Sequence, residues 1–210
     1  MPRKIAIVDY GLGNIFSAHQ SFKKTINEND INADVFVSCM PKEVINATHV
    51  VLPGQGAFQS CMNGLNKING MIETLNEFAL NQKKPFLGIC VGMQLLATDS
   101  EENGKHKGLN WISGNIKKLP DKKLKMPHMG WNEVLPQNAN NNKLITENKD
   151  YYFIHSYYFQ CQNRDNIMAY SKYGIDFPSI VFKENIYGVQ FHPEKSSLQG
   201  LELIKRFIEL

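Results

Sequence analysis

Cys90 is the residue of this chain best placed to act as a nucleophile. It stands in Gly88-Ile89-Cys90-Val91-Gly92, after the apolar run Pro85–Ile89 and before a helical pattern over 92–97. A strand that turns sharply into a helix projects the side chain at the turn. Glycines on either side permit the strained backbone this requires. The thiolate, not the thiol, attacks a carbonyl, and the positive end of a following helix favours the anion. The free N–H of Val91 can donate to the oxyanion that such an attack creates. A buried structural Cys at a strand end has the same local pattern, so a base must be found elsewhere.

The candidate base lies in Val189-Gln190-Phe191-His192-Pro193-Glu194. Residues i and i+2 of a strand share a face, so Glu194 can orient the His192 ring and stabilise its imidazolium. His192 is so far from Cys90 along the chain that only the fold can bring them together. A third element is Pro53-Gly54-Gln55-Gly56, which follows an apolar run ending at Leu52. A glycine-rich turn there can bring backbone N–H groups into a site. Asp9-Tyr10-Gly11-Leu12-Gly13-Asn14 fails as a dinucleotide fingerprint, because Phe16 stands where the third glycine is needed. That turn instead presents Asn14 at a site or an interface.

The elements that would position these residues follow a regular alternation. Lys4–Asp9, Ala33–Val37, Thr48–Leu52 and Pro85–Ile89 read as buried strands. A helix from about Asn14 and another over Met71–Leu80 lie between them. Alternating strands and helices through residue 100 predict an α/β fold with a largely parallel sheet. Ligands of such sheets sit outside the carboxyl ends of the strands, where both Cys90 and the 53–56 turn fall. The second half reads as strands at Trp111–Leu119, Trp131–Leu135, Tyr151–Phe159, Ile167–Tyr173, Ser179–Lys183 and Ile186–Phe191. Short polar loops between them predict antiparallel meanders added to the parallel sheet. Ser196–Leu210 closes the chain as an amphipathic helix. Asn138–Asn142 and the Lys-rich run 117–125 read as surface loops. With no linker in view, 1–210 reads as one domain.

Composition narrows the function classes. The chain has 210 residues, with Lys+Arg 23 against Asp+Glu 20 and a net charge of +3. That excess is too small for a dedicated nucleic-acid binder. The four cysteines, at 39, 61, 90 and 161, have neither the density of a disulfide framework nor a CxxC spacing for zinc. Cys39, Cys61 and Cys161 have no base near them in sequence and read as small buried or partly buried residues. His19 and His49 read as packing or surface residues. His128 and His155 stand in unusual aromatic surroundings that leave packing and function both open. The N-terminal apolar run is too short for a targeting segment, and no stretch has the length of a membrane helix. A cytoplasmic protein with reduced thiols is expected, with no membrane and no metal.

LPGQG at 52–56, LGICVGMQLL at 87–96 and YGVQFHPE at 187–194 together resemble the triad-type, class-I glutamine amidotransferases. DYGLGN at 9–14, PHMGWN at 127–132, FIHSYY at 153–158 and HPEKS at 192–196 resemble one branch, the glutaminase subunits of imidazole glycerol phosphate synthases. The resemblance runs from about residue 4 to the C-terminus. It implies a flavodoxin-like glutaminase fold, a mostly parallel central sheet flanked by helices with extra antiparallel strands in the C-terminal half. It also implies a Cys90-His192-Glu194 triad that hydrolyses glutamine through a γ-glutamyl thioester, with an oxyanion site at the N–H groups of Gly56 and Val91. By the same resemblance, Gly54, Gln94, Glu102, His155, Ser156 and Tyr157 hold glutamine, while Asn14, Trp131 and Lys195 face a partner. No cofactor is implied. The partner would be a separate (β/α)8-barrel cyclase, in a heterodimer, that uses the ammonia to complete an imidazole ring in histidine biosynthesis. Two alternatives stay open: a glutaminase serving another acceptor, such as a nucleotide-sugar amidotransferase, and a glutaminase-like subunit that only binds. Val91 stands where Leu is commoner in the family, and Gln55 where Val is commoner. Both would act through backbone groups.

Overall fold

The computed structural model describes residues 2–120, 124–137 and 143–210. The expected loop at Asn138–Asn142 and part of the Lys-rich run lie outside them. The first half alternates: β1 (Arg3–Val8), α1 (Ile15–Glu28), β2 (Ala33–Ser38), α2 (Pro41–Ile45), β3 (His49–Gly54), α3 (Phe58–Lys67), α4 (Met71–Asn76), β4 (Phe86–Cys90) and α5 (Val91–Gln94). A wide π turn at Glu77–Asn81 extends α4. Every residue of β3 and β4 is buried, the pattern of strands covered on both faces. On α1, Ala18, Phe22, Thr25 and Ile26 recur at helical spacing and form its buried stripe. Neither α2 nor α3 was expected. Both are short, and the turn residues before them masked the periodicity.

The second half holds β5 (Asp99–Ser100), β6 (His106–Lys107), β7 (Gly114–Lys118), β8 (His128–Pro136), β9 (Lys149–His155), β10 (Tyr157–Cys161), β11 (Ile167–Tyr173), β12 (Ile175–Lys183), β13 (Ile186–Val189) and α6 (Ser197–Ile208). One sheet of nine strands runs β2-β1-β3-β4-β13-β12-β11-β8-β9. Its members from β2 to β13 pair in parallel, and the rest pair antiparallel. The expected α/β architecture therefore holds, with three corrections. The strand expected at Ile186–Phe191 ends at Val189 and is the last parallel strand, beside β4, not part of a meander. The strand expected at Tyr151–Phe159 is two strands, because the chain leaves the large sheet at Ser156 and enters a second one. That sheet has four strands in the order β10-β7-β5-β6, and its β5 and β6 are too short to show a sequence pattern. The strand expected at Trp111–Leu119 is shortened to Gly114–Lys118. Trp111 precedes it as a buried plug whose Nε1 donates to Asn76 Oδ1 at 2.8 Å.

The helix expected over 92–97 is a single α-turn, Val91–Gln94. Leu96 N and Ala97 N then reach back to Met93 and Gln94 carbonyls at 3.1 and 3.0 Å, the tighter i→i−3 pattern that ends a helix. What holds this turn is a close backbone approach. A β-carbon on Gly92 would sit 1.8 Å from the Leu52 carbonyl oxygen, and one on Gly54 would sit 2.4 Å from Gly92 N. No rotamer relieves such a clash, because both partners are main chain. Gly92→Ala is therefore expected to destabilise the fold by about 3 kcal/mol or more. A thermal melt should show Tm lower by about 6–12 °C. An unchanged Tm would mean that β3 and the turn are free to part.

Candidate active site

Three carboxyl ends of parallel strands converge where β3, β4 and β13 lie side by side. Gly54 pairs with Cys90 across β3 and β4, and Val189 pairs with Ile89 across β13 and β4. Cys90 has φ 54° and ψ −111°, a backbone conformation that a residue with a side chain avoids. Such strain persists only where the surroundings over-determine it. Here the Gly92–Leu52 contact and the β3–β4 pairing do so. The result is a thiol lifted off the strand end into a cavity of about 290 Å³. The cavity is lined by Gln55, Gly56, Cys90, Val91, Gln94, Glu102, Pro127, Ile154, His155, Ser156, Tyr157, His192 and Lys195.

His192 arrives from the far side. Its N donates to Tyr152 O at 2.9 Å, and its carbonyl accepts from Ser196 Oγ at 2.6 Å. The same Ser196 hydroxyl accepts from Tyr152 N at 3.0 Å, so one buried oxygen ties the 192–196 turn to β9. His192 Nδ1 donates to Glu194 Oε1 at 2.9 Å. The pair comes together through a 3-10 turn at Pro193–Lys195, not through the pleat of a strand as expected, because β13 has already ended. Both side chains are buried, at 6% and 3% exposure. Burial works against charge on the ring, but Cys90 and Glu194 outweigh it, and the His192 pKa is pushed up to about 10. The ring interacts electrostatically with Cys90 and hydrogen-bonds to Glu194. The sulfur, the imidazolium and the carboxylate thus form one buried line.

The loop opposite is held from below. Tyr10 OH donates to Pro53 O at 2.7 Å, and Cys61 Sγ lies 3.5 Å from Gln55 O. Burial raises the pKa values of both Tyr10 and Cys61, which keeps them neutral donors. Gly56, with φ +93°, then turns the chain at the pocket wall. Gly54 is buried behind α5 and does not line the cavity.

Glu102 faces the cavity, its Oε2 accepting from Phe58 N at 2.7 Å. The adjacent Glu101 points away to Lys117 at 3.6 Å. Gln94 Nε2 donates to Tyr157 O at 3.1 Å and to Gln190 Oε1 at 3.0 Å. Gln190, not singled out from sequence, places Nε2 3.8 Å from Cys90 Sγ. The i, i+2 spacing that paired His192 with Glu194, read one step back, points to it. His155 borders the cavity, but Nδ1 is 2.8 Å from Tyr157 O and Nε2 is 2.8 Å from His128 Nδ1. With both nitrogens engaged, the ring supports the wall. Lys195 is exposed at the mouth. Trp131 and Asn14 lie outside the lining, Trp131 at 53% exposure. Of the remaining residues, Cys39 is exposed at the edge of the sheet, contrary to expectation, while Cys61 is buried and Cys161 partly buried. His49 packs edge-on against Phe207, as a packing residue does.

Residues 7–210 match the family "Glutamine amidotransferase class-I". Among curated proteins, the imidazole glycerol phosphate synthase subunit HisH of Pelagibacter ubique is 43% identical over 209 residues, covering 98% of this chain and 99% of that one. The subunit of the same name from Rhodospirillum rubrum is 42% identical, covering 98% of each chain. Among solved structures, a glutamine amidotransferase aligns with a TM-score of 0.71 at 14% identity, covering 97% of both chains. Another, from Thermotoga maritima, aligns at 0.62 and 18% identity, covering 100% of this chain and 82% of that one. At such identities the structures speak for the fold alone.

The buried line of charge has a direct readout. NMR titration of the His192 ring is expected to give a midpoint near pH 10, against 6.5 for a free histidine. Glu194→Gln keeps a hydrogen-bond acceptor but removes a charge that favours the imidazolium, so the midpoint should fall. A native midpoint below 7 would contradict the arrangement.

Proposed function

The chain belongs to the class-I glutamine amidotransferase family, and we propose that it is the glutaminase subunit of an imidazole glycerol phosphate synthase, with Cys90 as its nucleophile. The observation that carries the proposal is the strained Cys90 turn facing the buried His192–Glu194 pair across one cavity. Cys90 thiolate attacks the side-chain carboxamide carbon of glutamine. The N–H groups of Val91 and Gly56 receive the oxyanion. His192 gives its Nε2 proton to the departing nitrogen, so ammonia leaves as the C–N bond breaks and a γ-glutamyl thioester remains. His192, now neutral, takes a proton from water as it adds to the thioester. Glutamate departs and the thiolate–imidazolium pair returns. Glu194 holds the ring in the tautomer that presents Nε2 throughout.

Substrate recognition follows from the free valences of the cavity. The Glu102 oxygen not engaged by Phe58 N suits the α-ammonium of glutamine. The Gln94 carbonyl and the main chain of His155, Ser156 and Tyr157 suit the polar edges of the same amino acid. Gly54 contributes by letting the turn of α5 approach. Residues 1–210 then act as one glutaminase domain.

Ammonia released at Cys90 has to reach an acceptor. Large apolar side chains stand exposed close to this end of the molecule: Phe16 at 74%, Leu198 at 76%, Met129 at 60% and Trp131 at 53%. Phe16 starts α1 and Leu198 starts α6, and both helices pack on the 193–195 turn that carries Lys195. Trp131 leans edge-on against Tyr152, whose N–H meets Ser196. Exposed apolar groups clustered near a polar cavity mark an interaction surface. Its partner is a cyclase with a (β/α)8 barrel, contacted by Asn14, Trp131 and Lys195, which completes an imidazole ring with the ammonia. The pair works in the cytoplasm, where the thiol stays reduced. Among the described residues no helix is long and apolar enough to cross a membrane.

Glutamine hydrolysis by the isolated chain is expected to be weak and to rise strongly when the cyclase and its nucleotide substrate are added. Cys90→Ala should lower the stimulated rate by about 10³-fold or more. Hydrolysis that survives this substitution would overturn the mechanism. Stimulation by a nucleotide-sugar amidotransferase in place of the cyclase would move the chain to another acceptor. Gln55→Val tests whether that side chain affects how the 53–56 loop responds to partner; an unchanged stimulation would remove it from the account.

A further inference from the structure

We propose that His128 and Asn132 are positioning residues for glutamine binding, holding the His155–Tyr157 wall through a hydrogen-bond chain that runs in one direction only. The proposal rests on the glutaminase reading above. The Tyr157 carbonyl can only accept, so His155 Nδ1, 2.8 Å away, carries the proton. His155 Nε2 is then an acceptor, and the donor 2.8 Å from it is His128 Nδ1–H. His128 Nε2 is in turn an acceptor and receives Asn132 Nδ2 at 3.1 Å. Asn132 cannot be turned over, because Nδ2 also donates to Lys172 O at 3.0 Å and Oδ1 accepts from Glu133 N at 2.9 Å. Every proton position is thereby assigned, with both rings neutral. Burial also drives the two rings towards the neutral form, with pKa values near 4 for His128 and 3 for His155.

The chain does not stop at Tyr157. The same carbonyl accepts from Gln94 Nε2 at 3.1 Å, Gln94 Nε2 meets Gln190 Oε1 at 3.0 Å, and Gln190 Nε2 reaches Cys90 Sγ at 3.8 Å. Two donors converging on one carbonyl fix its position and the orientation of Gln94 together. Removing the donor at His128 leaves His155 Nε2 buried without a partner, an unsatisfied acceptor that the ring can relieve only by shifting away from its present position beside Tyr157 O. The wall loosens and Gln94 loses its fixed orientation.

Packing alone makes the opposite demand at the same position. The His128 ring stacks on Tyr173 at 4.1 Å and on Phe153 at 4.9 Å, a setting that Phe would suit and Asn would not. His128→Phe and His128→Asn, each in the full chain with its ammonia-accepting subunit, therefore separate the two roles. We expect His128→Phe to raise KM for glutamine about 10-fold with a smaller change in kcat. His128→Asn, whose short amide places an N–H near the Nδ1 position, should recover most of that loss. A His128→Phe enzyme with native KM, or a His128→Asn enzyme no better than it, overturns the proposal. Nitrogen NMR of the native chain gives a second measurement that depends on no variant folding. Both rings should be neutral with the proton on Nδ1, and a proton on Nε2 of either ring overturns the chain of donors. A native enzyme with no glutamine hydrolysis would sink the glutaminase reading itself, whereas an active native enzyme matched by His128→Phe sinks only this one.

Discussion

The main chain at Gly92 packs against the Leu52 carbonyl more closely than any β-carbon allows, and the active geometry depends on that contact. It presses the turn after β4 onto the end of β3. Gly54, across from Cys90 in the sheet, and Gly88, whose β-carbon would lie 2.5 Å from Gly92 O, serve the same approach. With the turn so confined, Cys90 has no relaxed conformation to fall back to, and φ stays at 54°. The strain is offset across the sheet, in the fully buried residues of β3 and β4, not locally. A rigid parallel core is therefore what aims the thiol, and the loops around it only complete the cavity.

Electrostatics then decides what the aimed thiol can do. A buried imidazolium is costly alone, and its charge is tolerated because it stands between the Cys90 sulfur and the Glu194 carboxylate. Among the described residues Glu194 Oε2 is buried with no hydrogen-bond partner, so the carboxylate's interactions are concentrated on the oxygen that faces His192. The single turn of α5 offers little of a macrodipole. Tyr10 and Cys61 hold the loop at 53–56 from beneath as neutral donors, so they add no charge that would compete with the triad. Charge at the reacting centre is confined to one line; the rest of the lining carries only the Glu102 carboxylate and the Lys195 ammonium, and it rests on the neutral paired rings of His128 and His155.

Much of the large sheet could be read in the sequence, because β1, β3 and β4 each carry a short apolar run with a glycine within three residues of its end. Cys90 was legible for the same reason: an elbow is a local event, and its glycines surround it. His192 and Glu194 were legible as a pair, though the expected strand pleat is in fact a 3-10 turn. The second sheet was not legible. Its β5 and β6 are two residues each, and the passage of the chain from β9 to β10 at Ser156 leaves no break in an apolar, aromatic stretch. Gln190, Tyr10, Cys61 and Ser196 escaped for another reason. Each acts through a hydrogen bond to a residue distant in sequence or to main chain, and none of the four has a composition signal.

By itself the sequence determined the local chemistry of this protein: a thiol on a glycine-flanked turn, a histidine two residues from a carboxylate, a glycine-rich loop, and the alternating elements that carry them. These depend on neighbours in the chain, so residue type and spacing suffice. Only the tertiary structure decided that the three segments share one cavity, that Glu102 and not Glu101 faces it, and that His155 spends both ring nitrogens on the wall. Those outcomes depend on which backbone carbonyl or side chain lies within about 3 Å once the sheets are packed, and hydrogen bonds at that range are set by the fold.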